Sequence, residues 1–482
     1  MNYPTSLRRI AVLGGGISGL TAAYTLAQAR EAGAPIEEFL IEGSQRLGGV
    51  IQTEHIEGFV VEGGPDSFIS EKPEAAALCR ELGLGDSLIG SNDAERKTYI
   101  LHHGQLVPLP DGLMLLVPTR IWPLMNSPLL PFGSKVGIIG EWFSQPRKAG
   151  DTDESVASFV RRHFGDAMLE NIVEPLLAGI YGGDSGSLSM ASVLPRFVEM
   201  ERTYGSLVRG ALEARWSRNK VSKGSKLPAK PKAPSLFMTM KDGLGGLIKA
   251  LEERLEPSCL HLGQRVIRIE RVTPNWRSPY RICCEGNITY EAEAIVLALP
   301  AHECAKLLPT LSPSLAESFN AIPYGSAVTV TLGLDAGAVK SLPPGFGFLV
   351  PKKEDPRLLA CTFVHKKFPY RVPEGKAMLR CFLGGTRDPE VLKHSDEEIL
   401  KSVWRELCSI LILHDEPLFW RISRWPSAMA QYTVGHQKRV ERIRNQVEKF
   451  SRMYLAGNAY SGIGLSDCIR TGRNAAKQAL EM

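Results

Sequence analysis

Three short stretches hold the residues best placed to do chemistry. GGGISG (14–19) and GIGLSDCIRTG (462–472) lie near opposite ends of the chain, and EGSQRLGGVIQT (42–53) follows the first closely. In the first, Gly14, Gly16 and Gly19 follow an apolar run and open a helical pattern, with Gly15 and Ser18 completing the turn. Glu42 closes the next apolar run. In that context G-x-G-x-x-G reads as a dinucleotide site. The glycines allow a tight turn, close approach of a pyrophosphate and close helix–strand packing, and the carboxylate holds ribose hydroxyls. An acid at 42 argues against a 2′-phosphate, which leaves FAD or NAD. In the second stretch Arg46 can pair with phosphate, and Gly48 and Gly49 let backbone approach a flat ring system. In the third, a glycine turn runs straight into a helix with Asp467 in its first turn. Outward N–H groups at a positive helix end suit an anion or an electron-rich ring.

The elements that must position these residues follow from hydrophobic periodicity. RIAVLG (9–14) reads as a buried strand, ISGLTAAYTLAQAREAG (17–33) as a helix and EEFLIEG (37–43) as a second strand, a βαβ unit. From about 74 to 215 the pattern is mainly helical and proline-punctuated, for example over 153–173. SRNKVSKGSKLPAKPKAP (217–234) lacks apolar periodicity and reads as a basic flexible loop. Strand and helix resume at 236–255, with strands at 261–272, 280–286 and 292–300. A strand-and-helix region fills about 301–425, and the chain ends on strand, glycine turn and helix. The apolar stretches LMLLVP (113–118) and VGIIGEWF (136–143) are expected in the core, with a membrane surface or a pocket wall as the alternatives.

Composition sets the frame. A chain of 482 residues has room for two or three domains, and 44% hydrophobic with 23% charged content is ordinary for a globular enzyme. The net charge of +5 permits anionic substrates or a membrane surface without requiring either, and no nucleic-acid partner is expected. Nine scattered cysteines without a C-x-x-C pair argue against a disulfide framework or a metal site, and for a reducing cytoplasm. The basic start is followed by only four apolar residues, IAVL, too few for a signal segment. No run of about 18 apolar residues is present to span a membrane.

The E-x-x-x-R-x-G-G run at 42–49 resembles the signature of flavin amine oxidases and their relatives. Within that superfamily VEGGPDSF (61–68), EPLLAGIYGGD (174–184), GFGFLVP (345–351), RWPSAMAQY (424–432) and LAGNAYSGIGLSDCIRTGR (455–473) resemble the oxygen-dependent protoporphyrinogen and coproporphyrinogen oxidases. The likeness runs in order from about residue 8 to 480. Amine oxidase relatives carry Glu where Asn458 stands, a departure that fits the porphyrinogen branch.

The resemblance implies an α/β fold with three parts. These are a discontinuous Rossmann-like FAD-binding domain (1–73, 236–300, 426–482), a mainly helical domain (74–216) and an α+β substrate domain with a mixed sheet (301–425). It implies non-covalent FAD held at Gly14, Gly15, Gly16, Ser18, Gly19, Glu42, Arg46, Gly48 and Gly49. Val266 would meet the adenine, and Trp425, Gly462, Ile463, Gly464 and Leu465 would surround the isoalloxazine. Gly179, Phe346, Gly347, Leu349 and Phe382 would line the macrocycle, and Arg96 would pair with a propionate. Lys72 resembles a basic position of the coproporphyrinogen branch. Asp66 and Asp184 are the nearest acids and need no catalytic role, since the flavin itself accepts hydride. The implied partners are a porphyrinogen and dioxygen. Peripheral membrane contact and a homodimer are left open. The rival readings are a flavin amine oxidase, a carotenoid-type desaturase and a non-catalytic prenyl-protein-binding relative.

Overall fold

Alternation along the first strand determines how the chain is layered. In the computed structural model, which describes residues 7–146, 153–213, 235–272, 279–354, 357–413 and 415–481, Arg8–Leu13 lies at the centre of a five-stranded sheet. The order is Leu260–Leu262, Ile36–Glu42, Arg8–Leu13, Ala294–Leu297, Met453–Leu455, and every pairing is parallel. Successive residues of a strand face opposite ways. Ile10 and Val12 therefore join one core, with helices Ile17–Glu31, Gly245–Glu252 and Leu465–Leu480. Ala11 and Leu13 join another, with Ala301–Leu307, Pro313–Asn320 and His436–Val447. A sheet buried on both faces requires near-continuous apolar strands, and IAVL and AIVL are such strands.

The described chain forms two compact units. The first comprises 1–91, 235–324 and 437–482; the second comprises 92–234 and 325–436. Residues 74–91, including helix Glu74–Glu81, thus fold with the dinucleotide-type sheet, and the helical stretch that follows shares a unit with 325–436.

The second unit is built on a seven-stranded sheet. Its order is Phe419–Ala430, Tyr324–Asp335, Lys376–Gly384, Ala360–Phe363, Gly347–Leu349, Thr98–His102, Gln105–Pro108. Gly347–Leu349 runs parallel to Thr98–His102, while its other neighbour is antiparallel, so the sheet is mixed. Helix Asp396–Leu411 packs Ile399, Val403, Leu407 and Leu411, one apolar residue per turn, into this unit's core. A capping box between Ser395 and Glu398 starts that helix.

Two expectations change, and one helical stretch divides. The strand read at 261–272 breaks after Leu262; Leu260–Leu262 joins the parallel sheet, and Val266–Arg271 pairs antiparallel with Tyr280–Cys284. The helical stretch 153–173 divides at Gly165, which caps Val156–Phe164 in a positive-φ conformation that ends a helix. The stretch 136–143 is not core. Helix Phe132–Glu141 turns Val136 and Ile139 outward, and Phe143 beyond it is 75% exposed; in the helix only Ile138 and Glu141 are buried. The basic loop 217–234 lies outside the described residues.

Candidate functional site

The first glycine turn sits at the carboxyl end of the central strand, where open parallel sheets bind ligands. Gly14 has φ +106° and is held by its N–H to the Ile41 carbonyl at 2.9 Å. Gly16 caps helix Ile17–Glu31 without any side-chain hydrogen bond, and the first turn of that helix carries no acid. A Cβ added to Gly16 would meet nothing within 4 Å. The bare positive helix end faces open space, which fits a diphosphate. A Cβ on Gly19 would overlap the Gly14 carbonyl, so this glycine serves helix–strand packing.

Glu42 closes the turn from the neighbouring strand. Its Oε2 accepts from the Gly15 N–H at 2.6 Å and its Oε1 from the Ser44 N–H at 2.8 Å. The chain preceding Val266 runs alongside, with the Gln264 N–H donating to the Glu42 carbonyl at 2.9 Å, so Val266 lies two residues beyond a backbone contact to Glu42. The second motif docks on the first through the Gly48 N–H and the Gly15 carbonyl, 2.8 Å apart. Arg46 does not wait free for phosphate. Its guanidinium donates to the carbonyls of Gly49 (2.6 Å), Leu47 (3.3 Å) and Ile51 (3.3 Å), stapling the loop that presents Gly48 and Gly49.

The chain's end returns to the same place. Helix Leu465–Leu480 lies against Ile17–Glu31 so closely that a Cβ on Gly472 would overlap the Ser18 carbonyl. Ser18 is 5% exposed and belongs to this helix contact. Gly472 was not singled out from sequence; an isolated glycine inside an apolar helical pattern was its signal. Gly462 has φ +113°, and beneath it lies the Asp467 carboxylate. Asp467 Oδ2 is 2.5 Å from Lys72 Nζ and its Oδ1 is 3.1 Å from an Arg470 nitrogen. Lys72 is thus already engaged. Cys468 is buried, and burial pushes its thiol up to about 11, so it stays protonated.

In the second unit, cross-strand register aligns the candidate substrate residues. Leu349 pairs with Ala360 and Ala360 with Phe382, one rung across three strands. A Cβ on Gly179 would lie 3.0 Å from Leu349 Cδ2, which brings those two together. Gly347 has a packing reason to be glycine, since a Cβ there would overlap the Cys361 carbonyl. Phe346 is buried beside it, donating its N–H to the Lys97 carbonyl at 2.7 Å. Gly347 pairs with Thr98, so Arg96, exposed at the foot of that strand, is close in register. Trp425 lies on the sheet's edge strand, half-buried.

Glu174, Asp184, Lys352 and Arg387 line a cleft of about 70 Å³ in this unit. Ligand pockets run to roughly 300 Å³ and above, so the cleft is too small for a macrocycle. Burial pushes the Glu174 carboxyl up, against Lys352 and Arg387, and burial lowers Arg387. The Arg387 guanidinium holds the carbonyls of Val350 (2.9 Å) and Leu358 (3.1 Å) and so fixes the end of the Gly347–Leu349 strand.

Residues 17–480 match the family of flavin-containing amine oxidoreductases. The chain belongs to that family. Among its members, the coproporphyrinogen III oxidase of Bacillus subtilis (strain 168) is 32% identical over 475 residues, covering 98% of both chains. Chloroplastic protoporphyrinogen oxidase 1 of Arabidopsis thaliana is 28% identical over 473 residues, 95% of this chain and 85% of that protein. A crystal structure from Exiguobacterium sp. 255-15, described as a candidate protoporphyrinogen oxidase, superimposes with a TM-score of 0.86 at 30% identity over 99% of this chain and all of that one. The α/β flavin fold implied by the resemblance is therefore the fold observed, and the chain is a flavin oxidoreductase.

Proposed function

We propose that this flavoenzyme binds FAD non-covalently and oxidises a porphyrinogen to the porphyrin with dioxygen as acceptor, a step of heme biosynthesis. Coproporphyrinogen III is the favoured substrate and protoporphyrinogen IX the alternative. The full-length similarity to coproporphyrinogen III oxidases carries this reading, with identities of 32%, 30% and 31% in three bacteria against 28% for the Arabidopsis protoporphyrinogen oxidase. Bound FAD would supply the acceptor for a methylene-bridge hydride, with dioxygen as the final oxidant and hydrogen peroxide as its product.

The chain's own residues bind and orient. The open space over Gly16 and the acid-free helix end would receive the diphosphate, Glu42 would hold ribose hydroxyls, and the Gly462–Leu465 turn would meet the ring system. On the substrate side Gly179, Leu349 and Phe382 supply apolar surface for a flat macrocycle, and the exposed Arg96 supplies a cation for a propionate. Its guanidinium has no ion-pair partner among the described residues. Fixed orientation and exclusion of water are the main contributions a protein makes to hydride transfer of this kind. Protons come off the substrate's own nitrogens, so neither Asp66 nor Asp184 is needed as a catalytic acid or base.

Seven of the nine cysteines are buried, which suits a reducing cytoplasm. No described helix is long and apolar enough to cross a membrane. The exposed apolar side chains of Trp122, Phe132, Val136, Ile139 and Phe143 support a peripheral apolar contact, testable by vesicle co-sedimentation of a Phe132→Ser, Phe143→Ser variant.

One assay tests the activity. Each porphyrinogen is offered separately while porphyrin fluorescence and oxygen uptake are followed. Removing six hydrogens consumes three dioxygen molecules, and porphyrin formation that needs a nicotinamide and takes up no oxygen would overturn the oxidase reading.

A further inference from the structure

The cluster under the second glycine turn has a charge balance that the fold does not explain. Asp467 is almost completely buried, its side chain 7% exposed, in the first turn of helix Leu465–Leu480. A carboxylate there fills the space below Gly462 and holds Arg470, which donates to the Ser461 carbonyl at 2.6 Å and so braces the turn. That carboxylate also places negative charge where the turn would meet the flavin ring, whose reduction adds negative charge. Glu74 lies 3.9 Å from Arg470 and takes up part of that cation. Lys72 completes the set, and two cations then balance two carboxylates.

Lys72 is held from both ends. Its carbonyl accepts from the Ser466 hydroxyl at 3.1 Å, and that hydroxyl in turn accepts from the Ala75 N–H at 3.3 Å. These contacts fix the backbone of 70–75 on the helix start whatever side chain stands at 72. The lysine side chain, half exposed, makes its ion pair with Asp467 at 2.5 Å. Structural anchoring here needs only the backbone, so the ammonium is left with an electrostatic task.

We propose that Lys72 is a positioning residue for the flavin's redox state: by neutralising Asp467 it keeps the N-terminal end of helix Leu465–Leu480 favourable to the reduced ring. The proposal rests on the reading that FAD lies against the Gly462–Leu465 turn. With Lys72 in place the helix end acts through its own positive dipole. Without it, a net negative cluster opposes reduction.

The test is the two-electron potential of bound FAD, measured by dye equilibration on the holoenzyme. Lys72→Met should lower it by about 30 mV, a roughly tenfold loss in preference for the reduced form. Lys72→Arg should restore it, and Asp467→Asn should raise it. FAD content per chain, read from visible absorbance, should stay full in the Lys72 variants. An unmoved potential in Lys72→Met together with a raised one in Asp467→Asn would overturn the role of Lys72 while leaving the flavin in place. If neither variant moves the potential, the placement of the flavin at this turn fails as well.

Discussion

The first unit contains two glycine turns that open onto helix N-termini, and their electrostatics differ. Gly16 caps a helix with no acid in its first turn and open space before it. Gly464 caps a helix with a buried acid in its first turn, countered by Lys72 and Arg470. A diphosphate keeps its charge throughout a reaction, so a bare positive end serves it best. A redox ring changes charge, and a balanced cluster allows the local potential to be tuned by single side chains. On the proposed placement of FAD, the same local motif would do two jobs, separated by what packs behind it.

The largest effect should break the first turn. Gly16→Val places a branched side chain in the open space, where the bare protein has nothing to clash with, so the variant should fold yet lose its flavin. Full flavin absorbance in purified, folded Gly16→Val would remove the diphosphate from this turn. In the second turn Gly462→Ala forces a non-glycine residue to φ +113° and drives its Cβ into the Asp467 carboxylate. A loss of about 1–3 kcal/mol in denaturant stability is expected; an unchanged midpoint would show that the turn relaxes freely.

A change in the second unit sharpens the contrast by leaving both turns loaded. Arg96→Ala should raise KM about tenfold at constant kcat, since a propionate far from the reacting bridge is held equally in ground and transition states and the site is exposed. Coproporphyrinogen, with four propionates, should suffer less than protoporphyrinogen, with two. Equal KM for wild type and variant on both substrates would take Arg96 out of the site.

The smallest effect concerns charge held by packing alone. His163 bridges Glu141 Oε1 (3.0 Å) and Glu201 Oε1 (3.2 Å) beside Arg162, with the hydroxyl of Ser206 also on Glu141. Burial opposes charge on the imidazole, but the two carboxylates outweigh it and hold its pKa above the ordinary value. Burial likewise pushes Glu201 up, yet hydrogen bonds from His163 and Arg162 bring it down to about 2. A raised histidine contributes stability that is complete below its unfolded value, about 6.5, and fades as pH rises through the folded one. The urea midpoint should therefore decline as pH rises above about 6.5, with a shallower decline in His163→Gln. Parallel pH profiles would show that the imidazolium contributes nothing.

Legibility from sequence followed range along the chain. The βαβ start was readable because four apolar residues, a glycine turn and a helix follow one another within 25 residues, and each preference is local. The register that joins Leu349, Ala360 and Phe382 was not readable, since cross-strand partners are chosen by the whole sheet. The helical stretch 136–143 misled for a related reason. Its residue types announce apolar character, but whether an apolar face is covered depends on what packs against it, and here Val136, Ile139 and Phe143 face outward.

By itself the sequence determined the flavin family, through motifs spread along the whole chain, and the glycine turns themselves, because a missing Cβ at a short fixed spacing acts through local sterics. Tertiary structure decided what stands behind those turns. Lys72 meets Asp467 across 395 residues, and Gly472 meets Ser18 across almost the whole chain. Such pairs carry no local signature, because the attraction between the partners exists only after the sheet and its two flanking helices have brought them within a few ångströms.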